Sequence, residues 1–502
     1  MIPKRLQKWK PVVGFPFKCG LEIHTQLLTR HKLFSPALNS PNCPPNANTT
    51  YFDLGLPGTF PKINPEALLL ALKAATALNC SVSSTSSFDR KHYFYFDQPL
   101  GYQITQKYRP LALGGHLQLT TDYDDVVANK LIRIEQIELE QDTAKLKYND
   151  YDHLVAIDLN RANIPLIELV TRPDFDSLVQ VRAFIKKYLG LMAHLRICTG
   201  DLENGAMRCD VNVSVAGGDK VEVKNLSSTT EVIAAAEYEY RRQVALLKQN
   251  VPVSQETRSW TGTKTVRTRS KEDAIDYRYV PDTELPFVHL QPSIADEIRA
   301  KLPEFPEKVV QRLVCAPYYL EKKFAKFLVE RPCDLHYYEQ LQTLVVDKHG
   351  APAKLANNWM MHELLGAFKK LGFEPNYARI PAPTFASLIS MVHRRDITPT
   401  SAKLLLTAVL QLSSELDDMT VEEMVAHFGL ENTAKTESAD LADAVEEICA
   451  EIVQNNPDAA SKIVAGRHLS IKYLVGQAMR ATQGKVDSRL FEETFRKLLL
   501  GS

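Results

Sequence analysis

Acidic residues placed inside or beside apolar segments are the first candidates for chemistry in this sequence. They are the pairs Glu22 and His24, Glu140 and Asp142, and Asp210 and Asn212, together with the single acid Glu168. A spacing of two puts both members of a pair on one face of a strand. A carboxylate in an apolar strand is costly unless it is paired or bound to a metal. One such residue is usually explained by an ion pair, whereas several favour a cluster.

The residue types in this set indicate which ion a cluster would hold. Carboxylates with one imidazole suit Mg²⁺ or Mn²⁺, and nucleotide phosphates often supply the remaining ligands. Cations that could contact phosphate also stand beside predicted strands, at Arg161, Arg208 and Lys224, with Asn225 next to the last. For each cation taken singly, a surface ion pair is the alternative interpretation.

Other common catalytic signatures are absent from the sequence. There is no Gly-x4-Gly-Lys-Ser/Thr loop, no Gly-x-Ser-x-Gly elbow and no His-Glu-x2-His helix. A P-loop nucleotide site, a serine hydrolase and a zinc protease are therefore not predicted.

The elements that must position these residues divide into three regions. Residues 14–293 alternate β-rich runs of period two with helices predicted near 65–78, 176–197 and 229–249, which indicates an α+β domain with a largely antiparallel sheet. Residues 294–417 are predicted as a helical domain interrupted by prolines. Residues 418–502 are predicted as a small helical tail domain that ends in two amphipathic helices and is rich in basic residues.

The composition limits the class of protein. The chain has 502 residues, with 60 basic and 60 acidic side chains, so any nucleic-acid surface must be local. Its eight cysteines include no closely spaced pair, and no apolar run has the length of a membrane span, although peripheral association is left open. Residues 1–13 are basic and free of acids, which favours the remnant of a mitochondrial transit peptide over a frayed terminus.

Short segments in a fixed order resemble the B-type subunits of the glutamyl/aspartyl-tRNA amidotransferases along nearly the full length. Each segment alone is weak evidence, but their order and spacing are specific. They are Gly20-Leu-Glu-Ile-His24, Gly55-Leu-Pro-Gly58, Phe88-Asp-Arg-Lys-His-Tyr-Phe-Tyr95, Tyr102-Gln-Ile-Thr-Gln106, Asp158-Leu-Asn-Arg161, Pro165-Leu-Ile-Glu168, Arg208-Cys-Asp210, Glu222-Val-Lys-Asn-Leu226, Gln255-Glu-Thr-Arg258, Asp276-Tyr-Arg-Tyr279 and Leu474-Val-Gly-Gln477.

The resemblance implies a fold and an activity. It implies an antiparallel-sheet cradle domain of the glutamine synthetase type, followed by the helical domain and a tRNA-binding tail. The implied reaction uses ATP to phosphorylate the side-chain carboxylate of Glu on tRNA(Gln). Ammonia from glutamine hydrolysed by a partner amidase, the A-type subunit, then displaces the phosphate. A small third subunit, of the C type or a fungal replacement, is also implied.

Site residues follow from the matching positions. The resemblance assigns catalytic roles to Glu22, His24, Glu140, Glu168, Arg208, Asp210 and Lys224, and ligand contacts to Arg161 and Asn225. It assigns Mg²⁺ coordination to Glu22, His24, Gln141 and Glu168. Gln141 stands where the family has a second Glu, which leaves the number of ions open.

Two further departures indicate an organellar, fungal-like member located in the mitochondrial matrix; a bacterial member would be cytoplasmic. The stretch 49–53 lacks the Cys pair of many bacterial members, so no zinc is expected, and Asp282-Thr-Glu284 replaces an acidic Glu-Pro-Asp. A non-catalytic tRNA-binding scaffold and a free-standing carboxylate-amine ligase are the alternative functions. Whether Asp-tRNA(Asn) is also a substrate is left open.

Overall fold

The computed structural model divides the chain into two compact units, residues 1–306 and 307–502. It describes residues 9–40, 43–149, 154–202, 205–215, 218–270, 277–412, 416, 419–431, 439–464, 471–482, 486 and 488–500. Most of the basic N-terminal segment predicted from the sequence, residues 1–8, lies outside this description. The architecture is α+β: the described strands all lie in the first unit, and the regular elements described in the second unit are helices.

Seventeen strands are found among the described residues of the first unit. They are β1 (Phe17–Gln26), β2 (Ser81–Val82), β3 (Thr85–Ser86), β4 (Asp89–His92), β5 (Tyr102–Thr105), β6 (Ala112–Leu113), β7 (His116–Leu119), β8 (Lys130–Gln141), β9 (Lys145–Asn149), β10 (Leu154–Asp158), β11 (Pro165–Thr171), β12 (Met207–Val215), β13 (Val221–Leu226), β14 (Glu256–Trp260), β15 (Thr265–Ser270), β16 (Arg278–Pro281) and β17 (Val288–His289).

A ten-stranded sheet forms the centre of this unit. Its strand order is β15-β14-β13-β12-β1-β11-β8-β6-β2, with β7 also paired to β8. The pairing is antiparallel except between β13 and β14, so the prediction of an α+β fold is confirmed and the sheet is mixed. A separate three-stranded sheet, called the small sheet here, has the order β16-β4-β5.

Three helices cover one face of the large sheet: α1 (Pro65–Ala77), α2 (Leu178–His194) and α3 (Thr229–Lys248). Each begins with a side chain that accepts a hydrogen bond from a backbone N–H of the first turn, at Asn64, Ser177 and Ser228. The apolar residues of β1 and β12, with Ile167 and Leu169 of β11, lie in one core with residues of these helices. The other face carries the polar residues of these strands, such as Glu22, His24, Glu168 and Asp210.

The remaining helices follow, from the end of the first unit through the second. They are α4 (Ile294–Lys301), α5 (Pro306–Val314), α6 (Lys322–Val329), α7 (Pro332–Thr343), α8 (Ala353–Asn358), α9 (Leu365–Leu371), α10 (Ala382–His393), α11 (Pro399–Gln411), α12 (Val421–His427), α13 (Ala439–Asn455), α14 (Pro457–Val464), α15 (Ile471–Ala481) and α16 (Ser488–Leu500). Two π-helical segments, Leu344–Lys348 and Trp359–Leu364, and a 3-10 turn at Tyr377–Arg379 interrupt this series.

The last four helices share an apolar core of their own. Cys449, Leu474, Phe491 and Phe495 are fully buried in it. No described helix combines the length and the low polarity that crossing a membrane would require.

Candidate active site

The face of the large sheet opposite helices α1–α3 carries two acidic groups, one on either side of β1. Strand pairing brings them together: Glu22 lies opposite Asp210 on β12, and His24 lies opposite Glu168 on β11. Directly opposed residues of antiparallel strands point to the same face. The apolar neighbours Leu21 and Ile23 have no exposed surface and point into the helix-covered core. The alternation predicted for β1 therefore places the potential ligands Glu22 and His24 on one face of the strand and its packing residues on the other.

The first group, called the His24 group, consists of His24, Glu140 and Glu168. Its three potential ligand atoms lie within 4.8 Å of one another. His24 Nε2 is 3.7 Å from Glu140 Oε1 and 3.7 Å from Glu168 Oε2. The structure therefore brings together one imidazole and two carboxylates from three different strands.

The second group, called the Glu22 group, consists of Glu22, Asp210 and Glu222, which also lie within 4.8 Å of one another. Glu22 and His24 were predicted to share one cluster, but β1 places them in neighbouring groups. Lys224 Nζ lies 3.0 Å from Asp210 Oδ2 and 3.0 Å from Glu222 Oε1, so it partly neutralises this group.

Like charges in a confined space shift the protonation of both groups. Burial, and then the neighbouring Glu140, raise the pKa of Glu168. Burial, Glu168 and Glu140 raise the pKa of Glu138, the adjacent carboxyl on β8. Burial, Glu168 and Glu222 do the same to the pKa of Glu22. The ionised forms of these carboxyls are therefore destabilised in the protein alone, as expected of a site that binds a cation.

Buried amide oxygens without a hydrogen-bond partner test the fit of a metal ion. Gln141 Oε1 and Asn212 Oδ1 have no hydrogen-bond partner among the described residues. Asn212 donates from Nδ2 to Glu22 Oε1 at 2.9 Å. A buried polar atom without a partner is costly, and an amide oxygen is a suitable ligand for a hard cation. The carboxylates of the Glu22 group with the Asn212 oxygen therefore fit Mg²⁺. Gln141 directly follows Glu140 on β8 and stays a predicted ligand.

The predicted phosphate contacts differ in how they are held. Arg208 Nη2 donates to Asp142 Oδ1 at 2.5 Å, and Asp142 is almost completely buried. Arg161 donates to the carbonyl oxygens of Thr143 and Ala144, at 2.8 and 2.6 Å, so much of its donor capacity is used within the protein.

Asn225 adopts the left-handed region at φ 62° and donates its backbone N–H to Asp210 Oδ1 at 2.8 Å. Asp210 therefore receives hydrogen bonds from both the Asn225 backbone and the Lys224 side chain. Asn225 lies next to the Glu22 group but uses its backbone there.

Sequence reasoning missed three residues of this site. Glu138 and Glu222 each stand two positions from a predicted residue, Glu140 and Lys224, so strand alternation could have identified both. Lys91 on β4 reaches the site from another sheet. Burial would lower its pKa, but Glu140, the nearby tyrosines and Glu168 raise it above the ordinary value. No local spacing signals that contact.

Comparisons with known proteins cover most of the chain. Residues 17–296 match a family model described as the GatB/GatE catalytic domain, and residues 343–499 match one described as a GatB domain. A protein of Clavispora lusitaniae is 57% identical over 99% of this chain and 94% of its own length. A protein of Debaryomyces hansenii is 52% identical over 97% of this chain and 95% of its own length. A protein of Candida albicans strain WO-1 is 47% identical over 99% of this chain and 99% of its own length. All three are named as the mitochondrial B subunit of a glutamyl-tRNA(Gln) amidotransferase.

Proposed function

The chain belongs to the family of the GatB/GatE catalytic domain, and we propose that it is the B subunit of a mitochondrial glutamyl-tRNA(Gln) amidotransferase. Its activity is the ATP-dependent conversion of Glu-tRNA(Gln) to Gln-tRNA(Gln). The observation that carries this proposal is the face with two acidic groups flanked by Arg208 and Lys224. The scaffold alternative has no comparable support, because a site without catalytic function has no need to keep His24, Glu140 and Glu168 close together, where burial and mutual repulsion raise the pKa of Glu168.

The first chemical step needs charge neutralisation more than it needs a protein nucleophile. A side-chain carboxylate oxygen of the tRNA-bound glutamate attacks the γ-phosphorus of ATP. The bond between that phosphorus and the ADP oxygen breaks, which gives an acyl phosphate and ADP. We assign the binding of phosphate oxygens to Arg208, which is bonded to Asp142, and to Lys224, which is bonded to Asp210. Of the predicted Mg²⁺ ligands, His24 and Glu168 would act in the His24 group and Glu22 in the neighbouring Glu22 group, with Gln141 as a further predicted ligand. Bound Mg²⁺ would further compensate the phosphate charge.

The second step forms the amide. Ammonia attacks the acyl carbon, the carbon–oxygen bond to phosphate breaks, and inorganic phosphate leaves. The attacking nitrogen must then lose a proton. Glu138 is suited to accept it, because its raised pKa makes this buried carboxylate a stronger base than an exposed one. The ammonia comes from the partner amidase, which is the A-type subunit, and a small third subunit, of the C type or a fungal replacement, completes the assembly.

We assign three domains to these roles. Residues 14–293 would form a catalytic cradle of the glutamine synthetase type, 294–417 a helical domain and 418–502 a tail that binds tRNA, and we expect no zinc site. Truncation after residue 417 should weaken tRNA binding and flatten its salt dependence, because phosphate contacts release counterions. Unchanged affinity at both low and high salt would contradict the assignment of the tail.

Amidation with ammonium as nitrogen donor tests the catalytic assignment directly. The assembled complex receives Glu-tRNA(Gln), ATP and Mg²⁺, and the Gln-tRNA(Gln) formed is measured. We expect Glu168→Ala to lower the rate at least ~100-fold, in the range of losing one electrostatic contact to the transition state. Glu135→Gln is the matched control, because Glu135 lies on β8 in an exposed ion pair with Arg172. A normal rate for Glu168→Ala would disprove the role of the His24 group.

A further inference from the structure

The segment Gln255-Glu-Thr-Arg258 leads into β14, the strand next to the edge of the large sheet. β14 pairs in parallel with β13, and the register sets Thr257 beside Glu222 and Arg258 beside Val223. Residues side by side in paired strands point to the same face. Val223 is fully buried in the core shared with the helices, whereas Glu222 belongs to the Glu22 group. Successive residues of this segment therefore serve opposite faces of the sheet.

Thr257 contacts a carboxylate of the Glu22 group directly. Its Oγ1 donates to Glu222 Oε2 at 3.1 Å. The other oxygen of that carboxylate, Oε1, lies 3.0 Å from Lys224 Nζ, and the same ammonium group donates to Asp210 Oδ2 at 3.0 Å. A carboxylate held at both oxygens cannot turn about its terminal bond without losing a contact. Thr257 therefore fixes the orientation in which Glu222 contacts Lys224.

The neighbours of Thr257 fasten the same strand from the helix-covered face. Arg258 donates from Nη1 to Glu256 Oε1 at 2.7 Å and from Nη2 to the carbonyl oxygen of Thr265 on β15 at 2.8 Å. Glu239 of α3 has no exposed surface and accepts hydrogen bonds from Thr265 Oγ1 at 2.9 Å and Arg242 Nη2 at 2.7 Å. Arg242 also donates to Glu256 at 3.0 Å. Because a buried carboxylate depends on its partners, this network resists displacement of β14.

We propose that Thr257 is a positioning residue, which acts through Glu222 to hold Lys224 in place at the Glu22 group. Glu256 and Arg258 in turn hold Thr257, so the whole segment has a defined task. This inference rests on the proposed function, which assigns the binding of phosphate oxygens to Lys224. The edge of the sheet is secured by the buried network on its other face, and the half-buried hydroxyl of Thr257 supplies orientation.

Variants that separate the hydroxyl of Thr257 from its shape test the proposal in the assembled complex. Thr257→Val keeps the shape and removes the hydroxyl, whereas Thr257→Ser keeps the hydroxyl. The Kd of the non-hydrolysable ATP analogue adenylyl imidodiphosphate is measured with Mg²⁺, and KM for ATP and kcat are measured with ammonium as nitrogen donor. We expect Thr257→Val to raise Kd and KM about tenfold and to change kcat less, while Thr257→Ser stays within about twofold of the unmodified complex.

A second substitution shows whether the effect passes through Glu222. In a Glu222→Ala background, Thr257→Val should add nothing, because the acceptor is already removed. Thr261→Val is the matched control and should change neither constant, because the Thr261 hydroxyl contacts only its own exposed turn, where it donates to the Lys264 carbonyl at 3.1 Å.

Three results would overturn the proposal: an unchanged Kd in Thr257→Val, an equal loss in Thr257→Ser, or an undiminished effect of Thr257→Val in the Glu222→Ala background. Equal melting temperatures of the unmodified complex and Thr257→Val would show that a raised Kd does not come from unfolding. The proposed function fails separately, if the unmodified complex forms no Gln-tRNA(Gln) although the Kd of the analogue still rises in Thr257→Val.

Discussion

Removing the charge of Glu168 should stabilise the metal-free protein at alkaline pH while it abolishes cation binding. Burial and the neighbouring Glu140 raise the pKa of Glu168 to about 7, from 4.5. A carboxyl whose pKa is higher in the folded than in the unfolded protein binds its proton more tightly in the folded state. Its contribution to stability is complete below about pH 4.5 and is lost as the pH rises through 7.

The magnitude follows from that shift. Each pKa unit corresponds to about 1.4 kcal/mol, so the whole shift sets an upper limit of about 3 kcal/mol at pH 8. Glu138 and Glu140 share the same repulsion, which divides this amount among several carboxyls. For Glu168→Gln without metal we expect a gain of ~1–2 kcal/mol in the free energy of unfolding at about pH 8, and no gain at about pH 4.5.

Thermal unfolding of the EDTA-treated complex between about pH 4.5 and 8, followed by Mg²⁺ or Mn²⁺ titration, measures both effects. The unmodified complex should lose stability as the pH rises and regain it with metal, whereas Glu168→Gln should show little of either response. Glu135→Gln removes a charge from the same region but should behave as the unmodified protein. The reasoning is refuted if Glu168→Gln destabilises the metal-free protein equally at both pH values, or if metal stabilises it normally.

Three further changes have defined outcomes. Asp142→Asn should weaken the hydrogen bond that positions Arg208, and should raise the KM for ATP about tenfold more than it lowers kcat in steady-state kinetics with ammonium. An equal effect on both constants, or no effect on either, would contradict this positioning role. Lys32→Met removes the ammonium group that lies 3.5 Å from the buried Asp53 carboxylate, and should lower the free energy of unfolding in urea by ~3–5 kcal/mol. Adding Asp53→Asn should restore part of that free energy, and no recovery would argue against the ion pair. Phe495→Ala should cost ~3–5 kcal/mol of tail stability, seen as faster limited proteolysis of residues 439–500, and unchanged cleavage would contradict this.

Local patterns predicted the elements of the fold well. The helices predicted at 65–78, 176–197 and 229–249 occur at Pro65–Ala77, Leu178–His194 and Thr229–Lys248. Proline in the first turn and serine caps mark their starts, and these signals lie within a few residues of each boundary. Strand order was beyond such reasoning, because β1 lies between β11 and β12 and the information for that pairing is spread along the chain.

The candidate site was predicted in composition but not in arrangement. The alternation along β1 placed Glu22 and His24 on one face, yet only the pairing with β12 and β11 separates them into two groups. Lys91 on the small sheet interacts electrostatically with Glu140 and Glu168 of the His24 group. Its sequence neighbours Arg90 and His92 lie on the other face of β4. An interaction between two sheets leaves no periodic signal in either strand.

Strand β1 shows why this fold tolerates so much uncompensated charge. On one side, Cys19, Leu21 and Ile23 are fully buried in the core shared with the helices, and Thr25 Oγ1 lies 2.7 Å from the hydroxyl of the buried Tyr188. On the other side, burial and the neighbouring carboxylates raise the pKa values of Glu22 and Glu168. Because the first set supplies the packing of this strand, the second can carry charged groups. A strand with both faces buried in apolar core could not hold Glu22 and His24 without compensating partners.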